Sequence, residues 1–200
     1  MSRKALINLL IVAAVVATAV VLLLPTFLKP TTYASATIID DTSPLPRYAL
    51  TDYEGNPFTF GQSGQYQLVF FGYTNCPDVC PLTLARLNRA LELMGNKANE
   101  VQVVFVSVDP DRDTLDKLKA HTLLFNPLFL GVTGSKTQID LAAKDFGVYY
   151  EKVDSESASG YLVNHSSHVT VVDPSGKIRA IFPFEAQPQA IADDMKKMVN

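Results

Sequence analysis

Apolar positions fall into a few runs separated by polar, glycine- and proline-rich breaks, and each run predicts an element by its length and period. The first, Ala5 to Leu24, is uncharged and broken only by Asn8 and Thr18. A helix of about 20 apolar residues crosses a bilayer core of about 30 Å, so a membrane-spanning helix is expected here. Two shorter continuous runs, YQLVFFGYT (Tyr66 to Thr74) and VQVVFVSVD (Val101 to Asp109), predict strands buried on both faces. Leu84, Leu87, Leu91 and Met94 recur at helical spacing, predicting a helix from Pro81 to Met94 that Gly95 stops.

The remaining pattern completes an α/β order. RYALTDYEGNPFTF predicts a hairpin turning at Glu54-Gly55-Asn56, and HVTVVDPSGKIRAIF a second one turning between Asp173 and Gly176. Asp113 is placed to cap a helix from Thr114 to about His121. Another helix begins at Ser135, with Gln138 set for a capping box and Gly147 as its stop. VYYEK reads as a short strand, DSESASG (Asp154 to Gly160) as a polar, mobile loop, and Pro188 as the first turn of a last helix. Alternating strands and helices followed by a terminal hairpin and helix predict a sandwich around a mixed sheet. The expected organisation is a stub and transmembrane anchor over residues 1–28, a linker over 29–45 and one domain over 46–200.

Charge gives this layout a direction. All 20 acidic residues lie from Asp40 onward, while Arg3, Lys4 and Lys29 precede it, so the remainder carries 14 basic against 20 acidic residues, a difference of −6. That balance argues against a nucleic-acid surface. Arg3 and Lys4 directly before the apolar run keep the N-terminus in the cytoplasm and send the rest of the chain across the membrane. A cleaved signal peptide is the rival, with Ala34-Ser35-Ala36 resembling a cleavage site, but a signal's apolar region is usually about 7–15 residues. With so few residues before the span there is no room for a mitochondrial presequence, and no cysteine stands directly after it for lipid attachment. The expectation is a single-pass bacterial inner-membrane protein with its domain in the periplasm.

The chemistry concentrates in GYTNCPDVCPLTL, which holds the only two cysteines, Cys76 and Cys80, with three residues between them. Strand, cysteine turn and helix succeed one another as in a thioredoxin-type site. Pro81 suits the first helical position, with Cys80 as the cap. Both sulfurs then meet the positive end of a helix, which favours thiolates, and a thiolate is both nucleophile and metal ligand. A stabilising disulfide is the default for two cysteines in an exported domain. However, a loop this short gains little chain entropy.

Two thiolates need a third partner to make a metal site. Of the three histidines, His121 lies in a charged helical stretch, while His165 and His168 share YLVNHSSHVTVV. In an extended chain, positions three apart face opposite sides, so one of the pair points at the thiols, and spacing does not choose which. Two soft sulfurs and one imidazole suit Cu(I), and also Cu(II) if an oxygen completes the plane. Zinc would accept the same donors with one position open.

GYTNCPDVCPLTL, SVDPDRDT and GYLVNHSS together resemble the Sco (SenC) family, membrane-anchored thioredoxin-fold copper proteins required for cytochrome c oxidase assembly. The resemblance covers about residues 45–198. It implies a thioredoxin-like fold and copper bound by Cys76 and Cys80. By matching Tyr161-Leu162-Val163-Asn164-His165 to the family's Tyr-x-Val-Asp-His pattern, it implies His165 as the third ligand. Asn164 departs from the usual aspartate, removing a negative charge beside the site. Asp109, Arg112 and Asp113 match the family's DPxRDT stretch, which reads as a loop-bracing ion pair.

The resemblance implies two roles that the sequence does not separate. One is a metallochaperone passing copper to the dinuclear centre of cytochrome c oxidase subunit II, supplied by a periplasmic copper donor. The other is an enzyme, a thiol–disulfide reductase that keeps that subunit's cysteines reduced and draws on a thioredoxin-like reductant. A peroxiredoxin-type peroxidase fits less well: Thr74 stands two residues before Cys76 rather than three, and the matching proline is missing.

Overall fold

A computed structural model describes residues 3–27, 32–40, 43–155 and 160–199, with the side chains of 4–7, 9 and 21–27 outside the description. The chain divides into two units, residues 1–32 and 33–200. The smaller contains helix α1 (Arg3–Phe27). Among the described residues no helix is long and apolar enough to cross a membrane, so the expected anchor rests on the sequence pattern.

The larger unit is built on the two runs that read as buried strands. β4 (Tyr66–Gly72) and β5 (Val101–Ser107) pair in parallel along their whole length, from Tyr66 opposite Val101 to Gly72 opposite Ser107. β6 (Leu130–Gly134) adds in parallel beyond β5. Their connections carry α2 (Val79–Met94) and α3 (Leu115–Leu123). Two right-handed crossovers made in the same direction along the sheet put both helices on one face. The expected hairpins flank this centre. β2 (Leu50–Asp52) and β3 (Pro57–Phe58) extend the β6 side, turning at Gly55 with φ of 87°. β9 (Val169–Val172) and β10 (Ile178–Phe182) pair antiparallel on the β4 side. β1 (Thr37–Ile38) closes that edge on β10, giving an eight-stranded mixed sheet. α4 (Lys136–Asp145) and α5 (Pro188–Met198) complete the thioredoxin-like sandwich.

Both faces of the sheet are filled, which is why β4 and β5 are apolar at nearly every position rather than alternately. Phe71 packs on Phe146, which also meets Phe60, and Phe58 and Tyr48 continue this aromatic cluster. On the opposite face Phe70 lies against Phe105, and α3 seats Leu118 where a Cβ on Gly131 would come within 2.5 Å of it.

Three local details differ from the sequence expectation. α2 starts at Val79 with Asp78 before it, so Pro81 is its third residue. Proline is tolerated there because the first four N–H groups of a helix have no intrahelical acceptor. α3 is capped by Thr114, whose hydroxyl accepts from the Lys117 N–H, while Asp113 is engaged elsewhere. Part of the stretch expected as a linker is ordered on the domain. Besides β1, the fully buried Asp194 carboxylate accepts the N–H groups of Ala34, Ser35 and Ala36 at 2.7, 2.8 and 3.0 Å.

One contact ties the sheet to the chemistry. A Cβ on Gly72 would lie 2.7 Å from Cys80 Sγ and 2.7 Å from the Phe105 ring, so only glycine lets α2 seat its cysteine on the strand. Gly72→Ala is expected to cost about 1–3 kcal/mol, the usual penalty of overpacking. The measurement is the denaturant midpoint at constant slope, and an unchanged midpoint would contradict this packing.

Candidate metal centre

The end of β4 delivers the first half of the site. Past Gly72 the chain turns, with the Cys76 N–H donating to the Tyr73 carbonyl at 3.2 Å, and α2 begins three residues after Cys76. Cys80 therefore sits in the first helical turn, wholly buried against Gly72, while Cys76 remains half-buried outside the helix. The Cys80 N–H donates to Cys76 Sγ at 3.4 Å. Asp78, at the cap position, makes no side-chain bond to the helix, so the Cys76 sulfur takes that place.

His165 supplies the other half. It ends β8 (Tyr161–His165), which pairs antiparallel with β7 (Tyr150–Asp154) in a two-stranded ribbon separate from the main sheet. Its ring stands edge-on to Tyr73 (centroids 6.0 Å) and Phe70 (5.8 Å). Nδ1 lies 2.9 Å from the Ser166 carbonyl, which can only accept, so Nδ1 carries a hydrogen. In the neutral ring Nε2 then has its lone pair free, and it points at Cys80 Sγ 3.3 Å away. The two sulfurs and the imidazole nitrogen lie within 4.8 Å of one another, the one group of three metal-capable side chains of this kind among the described residues. Cys76 and His165 face a cleft of about 370 Å³ that Pro77, Val79, Leu162 and Asn164 also line, with Cys80 buried beneath them.

The two thiols divide one proton unequally. Hydrogen bonding from Cys80 lowers the Cys76 pKa to about 3, outweighing the burial that opposes ionisation, with further help from the N–H groups of Asp78 and Cys80. Burial pushes Cys80 upward, reinforced by its hydrogen bond to Cys76 and by the charge there. The resting pair is a thiolate at the mouth and a thiol beneath it. A metal ion held by Nε2 and Cys76 would displace the Cys80 proton and gain the second sulfur.

The SVDPDRDT segment joins both halves. Asp109 is completely buried, accepting from Arg112 Nε at 2.5 Å and from the Tyr161 hydroxyl at 2.7 Å. Arg112 also donates to the Tyr161 carbonyl at 2.8 Å and stacks on that ring at 3.5 Å. Asp113 accepts the Thr74 N–H at 3.0 Å, the Thr74 hydroxyl at 2.6 Å and the Ser107 hydroxyl at 2.6 Å. Thr74, Ser107 and Tyr161 did not stand out in the sequence as bracing residues; only the acidic residues and Arg112 carried that signal.

The other histidines lie apart. His168 Nε2 is 3.4 Å from the Phe146 carbonyl, and the chain between β8 and β9 is not one continuous strand, so strand alternation does not relate it to His165. His121 packs between the rings of Phe105 and Phe125, and burial lowers its pKa against the pull of Asp113 and Cys76. Asn164 is exposed on the rim, and the bonds that orient His165 come from Ser166 and Cys80. Residues 156–159 of the polar loop lie outside the described residues.

The SCO1/SenC family model matches residues 38–200. The chain belongs to the SCO1/SenC family. An SCO2-like protein of Rickettsia felis is 32% identical over 151 residues, 74% of each chain. Among SCO1/SenC structures, ScoI of Bradyrhizobium japonicum with copper bound superposes with a TM-score of 0.69 at 33% identity, covering 78% of this chain and 99% of that one. Yeast Sco1 with copper bound gives 0.71 at 30% identity, covering 79% and 89%.

Because Cys76 is ionised above about pH 3, its alkylation by iodoacetamide should proceed at nearly constant rate from pH 5 to pH 8. An ordinary cysteine would accelerate about a thousandfold over that range. A rise of that size would contradict this charge distribution.

Proposed function

We propose that this chain is a copper metallochaperone, anchored by residues 1–28 in a bacterial inner membrane with its domain in the periplasm. In this reading it passes copper to the dinuclear centre of cytochrome c oxidase subunit II, having received it from a periplasmic donor. The anchor and its direction are supported by the uncharged Ala5–Leu24 run behind Arg3 and Lys4. Copper as the cargo is supported by copper-bound SCO1/SenC relatives and by the donor set itself.

The observation that carries the reading is the convergence of Cys76 Sγ, Cys80 Sγ and His165 Nε2 within 4.8 Å of one another beneath one cleft. Thiolates retain Cu(I), and the imidazole adds the nitrogen that Cu(II) prefers. Three protein donors at an open cleft leave a position through which an acceptor's own ligands enter before the donors leave. A closed four-ligand cage would offer no such exchange.

The dithiol supports a second reading, thiol–disulfide reduction, through the low pKa of Cys76. Its thiolate would attack a client disulfide, forming a mixed disulfide and releasing one client thiolate. Cys80, losing its proton, would then attack Cys76 Sγ and release the second. The client gains two electrons and the chain keeps a Cys76–Cys80 disulfide, which a thioredoxin-like reductant must restore.

One pair of variants tests these readings. His165→Ala should lose about 10- to 100-fold or more in Cu(II) affinity, the scale on which even supporting residues of metal sites act. His168→Ala should bind as the wild type does. In cells, His165→Ala should fail to assemble the oxidase copper centre unless copper is added. Normal assembly by His165→Ala would favour the reductase, and loss of binding only in His168→Ala would overturn the ligand set.

A further inference from the structure

The copper-binding arms are attached to the fold by different means. The Cys76–Cys80 arm continues directly from the central strand β4 into α2. The His165 arm is a two-stranded ribbon whose hydrogen-bond ladder is separate from the main sheet. Side-chain contacts therefore locate the ribbon, and Tyr161 makes three of them. Its hydroxyl, carbonyl and ring are all held, by Asp109, by Arg112 Nη1 and by the Arg112 guanidinium respectively. Four residues further along the same strand stands His165. Asp113, only four residues after Asp109, grips the other arm instead, through both Thr74 donors two residues before Cys76.

We infer that the segment 109–114 is the joint of the site, in which Asp109 and Arg112 position the His165 arm and Asp113 positions the Cys76 turn. The inference rests on the copper reading. It has a chemical consequence, because the two oxidation states of copper need the arms unequally. Cu(I) is satisfied by soft thiolates, whereas Cu(II) favours tetragonal coordination that includes nitrogen or oxygen. Loosening the Asp109–Arg112–Tyr161 brace should therefore weaken Cu(II) binding selectively. Loosening Asp113 should weaken both ions, since both use Cys76. None of these residues is itself a ligand: each acts through the arm it holds.

The brace also differs from ordinary loop packing in its geometry. Arg112 uses Nε for the carboxylate and Nη1 for the carbonyl while its plane covers the ring, so its shape matters as well as its charge. Lysine at this position keeps the charge but cannot make the three contacts together. Phenylalanine at position 161 keeps the ring and the carbonyl and removes only the hydroxyl that donates to Asp109.

The test measures Cu(I) and Cu(II) affinities separately on the full chain, by competition with a chelator for each ion, and records the sulfur-to-copper charge-transfer band. Arg112→Lys and Tyr161→Phe should lose Cu(II) affinity by about 10- to 100-fold, with Cu(I) affinity near wild type. Their charge-transfer bands should shift while circular dichroism matches the wild type. Asp113→Asn should lower both affinities by similar factors. Equal losses for the two ions in Arg112→Lys and Tyr161→Phe, or no loss in either, would overturn the joint while leaving the copper reading intact. Wild-type protein that held neither ion would overturn the copper reading and the joint with it.

Discussion

The sulfur of Cys76 sits where a helix cap normally sits, taking the N–H of Cys80 and sharing a proton with the Cys80 sulfur. This places a charge at the start of α2, where the helix dipole favours it, and fixes the geometry of the pair. Cys80 must then be held against β4, which Gly72 alone permits. The parallel β4–β5 core, the aromatic packing behind it and the glycine at the strand's end all serve to put one thiol beneath one thiolate. The resting site therefore holds a single negative charge ready for a cation and one proton to release when the second sulfur binds.

Against this rigid half stands a half that is merely braced. His165 rides on a ribbon outside the main sheet, and its ring is oriented by Ser166, Tyr73 and Phe70. A site divided in this way suits a carrier better than an enzyme with a resident metal. In the proposed role the firm arm would retain soft Cu(I), and the braced arm would engage or yield without unfolding the sheet. The reductase chemistry uses the firm arm alone, so the two proposed roles draw on different parts of one site.

Much of this arrangement is legible in the chain. β4 and β5 announce themselves by unbroken apolar runs, the hairpins by their turn residues, and the cysteine pair by its place between strand and helix. Other features depend on partners distant in sequence. Pro81 suits the opening of α2, but a proline costs little anywhere in the first turn, so it does not fix the start to the residue. Asp113 looks like a helix cap because its alternative partners, Thr74 and Ser107, are brought to it only by the fold. Spacing does not choose between His165 and His168 because the chain between them leaves the strand. The brace on Tyr161 joins residues far apart in the chain and has no local signature.

The central claim is that the two cysteine sulfurs and the His165 nitrogen together form one copper site. X-ray absorption at the copper edge, on protein carrying one Cu(II) per chain, addresses it directly. Two sulfur scatterers at thiolate distance and one imidazole nitrogen are expected, with the imidazole signal lost in His165→Ala and retained in His168→Ala. A copper environment of nitrogen and oxygen alone, or an imidazole signal that survives His165→Ala, would contradict the claim.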